Sequence, residues 1–251
     1  MVTLVKSLIA VPDLHYPHAD DELVEKVLSL IQMEKFDIIV QLGDVLDFEK
    51  LSRFKYDPSK AKSIMVEIAK GRNFFVQARH MAPNSRIIMK CGNHDERLVN
   101  FLMDKAPVLL ELEDLNVPTL LQLDKSRVEF YDTDEELIID GLCITHGWHV
   151  RAKAGYSAHG ALDNCDYRWG ISGHTHRAAQ VTRFGRTWIE SGHLGSKNPK
   201  DFKYNKDKRP DWQQAFTVGY LFENSETGER WWDLKLINVY NGTIHFNGRV
   251  F

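Results

Sequence analysis

The first half of the chain alternates short apolar runs with longer stretches of helical periodicity. The apolar runs 4–11, 36–42 and 86–91 each end at a turn residue and are predicted to form buried strands. Between them, residues 20–35 and 60–81 repeat apolar positions every three or four residues, which predicts two helices. This strand-helix alternation predicts a parallel or mixed sheet with helices outside it.

From about Arg127 the pattern changes to short strand-like runs, several of them separated by turns such as Asp140-Gly141 and Asn241-Gly242. The predicted strands are residues 128–131, 137–139, 142–145, 168–172, 180–184, 187–190, 216–222 and 231–239. Such a run of strands predicts a second sheet.

Five short polar motifs punctuate these elements, and each lies where an apolar run ends. They are Asp13-Leu14-His15, Gly43-Asp44, Gly92-Asn93-His94-Asp95, His146-Gly147 and Gly173-His174-Thr175-His176. Open α/β sheets bind their ligands at the carboxyl ends of strands, so the motifs are predicted to share one pocket. On an extended strand end, residues two apart point to one side, as we expect for the Asp13 and His15 pair and for the His174 and His176 pair.

The motifs together offer aspartate, asparagine and histidine side chains but no cysteine. Oxygen and nitrogen ligands in this number suffice for two divalent cations side by side, an arrangement suited to the hydrolysis of phosphate esters. Because the motifs lie in both halves of the sequence, the halves are expected to form one domain over residues 1–251, with two packed sheets.

Composition narrows the class of protein. Of 251 residues, 43% are hydrophobic and 27% are charged, which is ordinary for a soluble globular protein. The net charge of −3 provides no overall positive field, so binding of nucleic acid would depend on a local patch. Three cysteines without metal-type spacing are interpreted as free thiols in a reducing compartment. No apolar run reaches the length of a membrane span, so a cytoplasmic protein without a membrane partner is expected.

The ordered motifs resemble those of the calcineurin-like metallophosphoesterase superfamily: Asp-x-His, Gly-Asp, Gly-Asn-His-Asp/Glu, His and Gly-His-x-His. The resemblance runs from Asp13 to His176, about two thirds of the chain. It implies an α/β, four-layer α-β-β-α sandwich of two packed mixed sheets flanked by helices, with the metal site at the carboxyl ends of strands. The Gly-Asn-His-Asp form is similar to bacterial phosphodiesterases and to the repair-nuclease branch, and a compact bacterial or phage-type enzyme is the nearer likeness.

Carried over by position, the resemblance implies two adjacent metal sites that share one carboxylate. One ion would be bound by Asp13, His15, Asp44 and His176, and the other by Asp44, Asn93, His146 and His174. Mixed imidazole, carboxylate and amide ligands suit manganese first, with iron, zinc and nickel as alternatives.

The resemblance also implies a mechanism. A hydroxide bridging the two metals would attack phosphorus in line, and His94 would donate a proton to the leaving oxygen. Asp47 lies at the position that orients this histidine in related phosphatases, and Asp95 is the second choice. Asp47 and His94 are therefore the candidate catalytic residues.

The choice between ester types depends on one departure from the family pattern. Protein phosphatases of this superfamily carry an arginine directly after the second Asp of the Gly-Asp motif, and Phe48 stands there in this chain. A phosphomonoester has two ionisable oxygens that a bidentate guanidinium can bind, whereas a diester has one. The absence of this arginine therefore favours phosphodiesters. Arg53, Arg97 or Arg177 could supply the guanidinium instead, so a phosphomonoesterase is the alternative. A catalytically silent metal-binding interaction module is the third hypothesis.

The predicted substrate is a phosphodiester of a nucleotide or nucleic acid, and the oligomeric state stays open, with a homodimer among the options. Residues 196–212 hold six Lys or Arg against three Asp, interleaved with Phe202, Tyr204 and Trp212. Cations and stacking aromatics bind single-stranded nucleic acid, although a solvated surface loop has the same composition. His149, His193, Trp148 and Trp212 are the candidate substrate-binding residues. For Trp148 the sequence favours a core position over a base platform.

Overall fold

The computed structural model describes residues 1–53, 63–148, 150–202 and 210–251, with the side chain of residue 199 left out. Eight strands form the first sheet, in the spatial order β13 (Arg249–Val250), β12 (Thr243–Phe246), β11 (Arg230–Tyr240), β10 (Ala215–Asn224), β1 (Val2–Val11), β2 (Ile38–Gln41), β3 (Arg86–Lys90) and β4 (Val128–Tyr131). The second sheet has the order β5 (Leu137–Ile139), β6 (Leu142–Thr145), β7 (Trp169–Ser172), β9 (Arg186–Ser191) and β8 (Ala178–Arg183).

The helices in the described residues are α1 (Asp21–Glu34), α2 (Ile64–Met81), α3 (Arg97–Lys105), α4 (Val117–Leu121) and α5 (Tyr156–Asn164). Short 3₁₀ turns cover Glu49–Leu51, Pro107–Glu111 and Pro199–Asp201. None of these helices is long and apolar enough to cross a membrane.

Both sheets are mixed, and each has a parallel part that ends at the predicted pocket. β1 to β4 run parallel, with Ile9 opposite Ile39 and Ile39 opposite Ile87. In the second sheet β6, β7 and β9 run parallel. The carboxyl ends of β1, β2 and β3 therefore meet at one edge, as those of β6 and β7 do.

Side-chain alternation along β1 shows how the layers are built. Ile9 and Val11 pack into a core beneath α1 and α2, whereas Leu8 and Ala10 pack into a second core shared with the second sheet. A strand with both faces buried reads as a continuous apolar run, which is how residues 8–11 read in the sequence.

The outer face of the second sheet is covered by α5. Ala158 and Leu162 of that helix form a small core with Trp188 of β9. The order of layers is thus helices, sheet, sheet and helix, which confirms the predicted four-layer α/β fold.

Local sequence signals explain the early helices. The Asp20 side chain accepts a hydrogen bond from the Leu23 backbone N–H at 3.2 Å and caps α1, and Lys35 with φ 54° ends it. The second helix was predicted from residue 60. Its described part begins at Ile64 behind Ser63, while residues 60–62 lie outside the described residues.

Two features differ from the sequence prediction. The run of late strands does not form one sheet, because β4 joins the first sheet beside β3, and β10 and β11 return to it with β10 along β1 and β11 along β10. In addition, α3 and α5 were not predicted. Each is nine residues long, which is shorter than the window over which helical periodicity is usually read.

Close packing in the second sheet gives a testable constraint on stability. A Cβ added to Gly170 of β7 would lie 2.1 Å from Cε3 of Trp188, a buried ring whose Nε1 donates to Ser172 Oγ at 3.0 Å. We expect Gly170→Ala to lower the free energy of unfolding by about 1–3 kcal/mol, measured by urea denaturation, because the ring has to move. Trp188→Leu removes the clash, so Gly170→Ala should cost clearly less in that background. Equal costs in both backgrounds would contradict this packing.

Candidate metal centre

All five motifs converge at the edge where the two sheets present their strand ends. Asp13 and His15 follow β1, Asp44 follows β2, and His146 follows β6. The four side chains are buried, with relative exposures of 0%, 0%, 1% and 1%. Such a concentration of buried polar side chains needs partners, and here they lie against one another.

A left-handed backbone conformation turns the side chains of five candidate ligands toward the pocket. Asp13, His15, Asp44, His174 and His176 have φ values of 36°, 50°, 53°, 68° and 56°. The expectation that Asp13 with His15, and His174 with His176, lie on extended backbone was therefore wrong. Left-handed residues other than glycine are uncommon and cluster at functional sites, where the surrounding structure compensates for the strain.

The first ligand group brings together Asp13, His15 and His176. His15 Nε2 lies 2.9 Å from His176 Nε2, and Asp13 Oδ1 lies 3.6 Å from His176 Nε2 and 3.9 Å from His15 Nε2. These three side chains can direct their donor atoms at one cation.

The second group brings together Asp44, Asn93, His146 and His174. Asn93 Oδ1 lies 3.0 Å from His146 Nε2 and 2.7 Å from His174 Nδ1. Asp44 Oδ2 lies 3.4 Å from His146 Nε2. The aspartate and the two histidines form a second cluster that can hold a cation.

Asp44 connects the two groups. The same Oδ2 that approaches His146 also lies 3.5 Å from His15 Nε2, in the first group. Its Oδ1 accepts a hydrogen bond from the His94 backbone N–H at 2.8 Å. The carboxylate is thus held by one oxygen and faces both groups with the other.

The tautomers of two histidines indicate that the donor set fits cations. The His146 ring donates from Nδ1 to the Leu42 carbonyl oxygen at 2.8 Å, and the His15 ring donates from Nδ1 to Asp47 Oδ1 at 3.2 Å. In each ring Nε2 then faces other acceptors, and once deprotonated it offers its lone pair to a cation. Lone pairs aimed at one point repel each other unless a cation lies between them.

The histidines of the cluster differ in the direction in which their pKa values are shifted. Burial, with help from neighbouring imidazoles, lowers the pKa of His174 to about 4 and holds the pKa values of His15 and His176 below their usual range, which favours the neutral, metal-ligating form. Burial opposes protonation of His146 too, but the adjacent Asp44 carboxylate outweighs it and raises the pKa to about 9.

The candidate acid His94 lies beside the cluster and is oriented by Asp47. His94 Nδ1 lies 2.8 Å from Asp47 Oδ1, and the His94 ring stands edge-on to that of His15, with centroids 4.5 Å apart. Burial alone would raise the pKa of Asp47, but hydrogen bonds from His15 and His94 hold it well below its usual range. Asp47 is therefore a carboxylate that contacts both rings.

Asp95, the second choice for orienting His94, binds backbone groups instead. It accepts hydrogen bonds from the backbone N–H groups of Leu46 and Gly92, both at 3.0 Å, and so ties the Asp44 loop to the Asn93 loop. The two loops touch closely at Gly92, where an added Cβ would lie 2.3 Å from the Asp44 backbone nitrogen. The glycine of this motif is required by that close approach.

Phe48 is fully buried in the core, with φ 45°, and its backbone N–H donates to Glu67 Oε2 at 2.7 Å. It therefore leaves no cation at the position where the protein phosphatases that the motifs resemble have arginine. Arg97 supplies one from α3: its Nη1 donates to the Asp47 carbonyl oxygen at 2.6 Å, and its Nη2 lies 3.1 Å from His94 Nε2.

Glu67 was missed by sequence reasoning. It is 1% exposed on α2 and holds the Phe48 backbone next to Asp47. Burial raises its pKa to about 8. An acidic residue on a predicted helix reads as solvated surface, so the sequence offered no signal for this role.

The candidate substrate-binding residues lie in different surroundings in the structure. The buried His193 ring stacks on His176 with centroids 5.1 Å apart, and Trp212 contacts His176 edge-on at 4.6 Å. Trp148 is 48% exposed, so the core position favoured for it was wrong. His149 lies outside the described residues.

Part of the basic aromatic segment 196–212 borders the centre. Residues 203–209, with Tyr204, lie outside the described residues. Phe202, directly before these residues, is 1% exposed, and its ring lies 5.5 Å from that of His15. Phe202 and Trp212 also touch each other, with centroids 5.4 Å apart. The described ends of the segment are thus packed against candidate ligands.

Comparison with known proteins gives several similar chains. The sequence matches no family model. It is 26% identical over 265 residues to the Gene 54 protein of Mycobacterium phage D29, covering 98% of each chain. An archaeal phosphodiesterase structure is 16% identical with a TM-score of 0.45, covering 91% of this chain and 99% of that one. Vps29 of Entamoeba histolytica complexed with zinc is 11% identical with a TM-score of 0.44, covering 92% and 98%.

The position of Asp44 between the two groups predicts how replacing its carboxylate with an amide affects metal binding. Asp44→Asn keeps the shape of the side chain but removes the charge that faces both groups. We expect the purified variant, reloaded with manganese and dialysed, to retain at most half of the metal that the parent retains, measured by elemental analysis. Asp163→Asn, an exposed aspartate on α5, is the control and should bind as the parent does. Unchanged metal content in Asp44→Asn would rule out a shared carboxylate.

Proposed function

We propose that this protein hydrolyses phosphodiesters of nucleotides or nucleic acid with the help of two divalent cations. The observation that carries the proposal is the placement of Asp44 between two nitrogen-rich ligand groups. His94, held by Asp47, lies directly beside them. The described residues contain clusters of His and Asp that can hold metal ions. An acid–base pair next to such clusters suits ester hydrolysis.

The residues of each group have defined parts in this proposal. Asp13, His15 and His176 would hold one ion; Asn93, His146 and His174 would hold the other; and Asp44 would contact both. When bound, the ions supply Lewis acidity for the phosphate oxygens and activate water as a nucleophile. Manganese is the proposed metal because Asn93 adds an amide oxygen to the donor set, with iron, zinc and nickel as alternatives.

His94 is proposed to protonate the leaving oxygen. The Asp47 carboxylate accepts from Nδ1–H, so that Nε2 is the ring nitrogen that delivers the proton. Asp47 keeps the ring oriented for this role. Arg97 Nη2 donates to His94 Nε2 at 3.1 Å, so the guanidinium has to turn to the negative charge of the phosphate or of the leaving oxygen before Nε2 can carry the proton.

The same arginine supports a second candidate function, a phosphomonoesterase. A planar guanidinium with several donors suits the two ionisable oxygens of a monoester. However, Arg97 is already engaged with the Asp47 carbonyl oxygen through Nη1, which leaves fewer donors for a bidentate contact. With Phe48 buried in the core, the diester remains the favoured substrate.

The role of His94 predicts a dependence on the leaving group. We expect His94→Ala to lower kcat about 10²–10⁴-fold on a diester with an alkoxide leaving group, such as a dinucleotide. On a p-nitrophenyl diester the loss should be much smaller, because p-nitrophenolate leaves without protonation. His80→Ala, at an exposed histidine of α2, is the control. Equal losses on both substrates would show that His94 is not the acid.

Ester preference is tested by comparing bis-p-nitrophenyl phosphate with p-nitrophenyl phosphate in manganese. We expect a higher kcat/KM for the diester. Arg97→Lys should keep the charge but lose the planar donors, and should therefore impair monoester hydrolysis more than diester hydrolysis. A strong monoester preference in the parent, lost in Arg97→Lys, would favour the phosphatase. Metal binding without turnover of either ester or of a dinucleotide would favour the silent module.

A further inference from the structure

A second cavity adjoins the candidate metal centre on the side of the first sheet's antiparallel strands. It has a volume of about 560 Å³ and lies between the segment after β9, the segment before β10 and the turn that joins β11 to β12. This volume is within the range of small-molecule sites, about 300–1,000 Å³.

The lining of this cavity combines three kinds of chemistry. Trp212 and Tyr240 offer aromatic rings, Asn238 and Asn241 offer amide donors and acceptors, and Lys197 offers a cation. Aromatic rings stack on nucleobases, amides read base edges by hydrogen bonding, and an ammonium group attracts phosphate. A purely hydrophobic ligand would leave the amides and the cation without compensation.

Two of the side chains that line the cavity also contact a candidate metal ligand. The His193 ring stacks on His176 at 5.1 Å, and the Trp212 ring meets it edge-on at 4.6 Å. The cavity therefore borders the centre at these two rings. A phosphodiester bound at the centre could place its second substituent in the cavity.

The cation and one aromatic ring of the cavity are accessible. Tyr240 is 67% exposed at the end of β11. Lys197 Nζ lies 3.8 Å from Asp20 Oδ2, with its side chain 53% exposed, which is a long and solvated ion pair. Exposed pairs of this kind contribute little to stability, so Lys197 can turn to a ligand at small cost.

We propose that this cavity is a nucleoside subsite, which binds the base and sugar of a nucleotidic phosphodiester while its phosphate lies at the metal centre. The base stacks on Tyr240, the exposed ring of the cavity, and Lys197 offers its ammonium group to the bound nucleotide. The proposal rests on the proposed phosphodiesterase function and adds the place where the nucleoside of such a diester binds.

The first test measures binding without turnover. Adenosine 5′-monophosphate is titrated by calorimetry into the full-length protein in excess EDTA, with inorganic phosphate as the comparison ligand. We expect the nucleotide to bind more tightly than phosphate. Tyr240→Ala and Lys197→Ala should each weaken nucleotide binding, by about 5- to 100-fold for the loss of a stacking ring. Tyr240→Phe, which keeps the ring, should bind like the parent.

The matched control for the ring is Phe184→Ala, which removes an 88% exposed aromatic ring from the turn between β8 and β9. It should leave nucleotide affinity unchanged. Nucleotide binding that is indifferent to Tyr240→Ala and Lys197→Ala, or no tighter than phosphate binding, would overturn the subsite.

The second test uses turnover with a constant leaving group. Thymidine 5′-(p-nitrophenyl phosphate) and methyl p-nitrophenyl phosphate differ only in the second substituent. Tyr240→Ala should raise KM about 5- to 100-fold for the thymidine diester, with kcat nearly unchanged, and should leave the methyl diester unaffected. Equal effects on both diesters would count against the subsite.

The two proposals can fail separately. If neither diester is hydrolysed but nucleotide binding depends on Tyr240, the phosphodiesterase function fails and the nucleoside site stands. If both diesters are hydrolysed and Tyr240→Ala changes neither KM, the function stands and the subsite fails.

Discussion

The Asp44 carboxylate is the group on which the rest of the centre depends. It ends the central parallel strand β2, lies within 3.5 Å of an imidazole from each ligand group, and accepts the backbone N–H of His94. Burial favours the neutral acid, yet the imidazoles of His146 and His94 hold its pKa well below the usual range. An ionised carboxylate in a buried place is costly unless positive charge faces it, so this position suits cations more than it suits an empty core.

Geometry at the strand ends is maintained by strained backbone and close contact. Five of the candidate ligands adopt left-handed φ values, which cost free energy for residues with a Cβ. Gly92 and Gly173 allow loops to touch: a Cβ on Gly173 would lie 2.4 Å from Asp13 Oδ2. Because the loops interlock, strain at one ligand is compensated by contacts with the next, and the pocket has little freedom to rearrange.

Around the ligands lies a group of positioning residues drawn from distant parts of the chain. Glu67 from α2 holds the Phe48 backbone, Arg97 from α3 holds the Asp47 carbonyl, and Asp95 ties two loops together. Each acts on the backbone beside Asp44 or His94, so the orientation of the candidate acid depends on helices as well as on strand ends. On the other side, Phe202 and Trp212 pack against candidate ligands, and Trp212 also lines the neighbouring cavity.

The sequence by itself determined the ordered motifs and the early strands and helices, because buried parallel strands and capped helices leave local patterns of apolar and polar residues. The four-layer class, the seven candidate ligands and the pairing of His94 with Asp47 followed from the resemblance of those motifs to a known family. Only the tertiary structure decided that β10 and β11 return to the first sheet, that the ligand backbone is left-handed, and that Glu67 and Arg97 support Asp47. These features depend on contacts between residues far apart in the chain, and such contacts leave no periodicity in any local window.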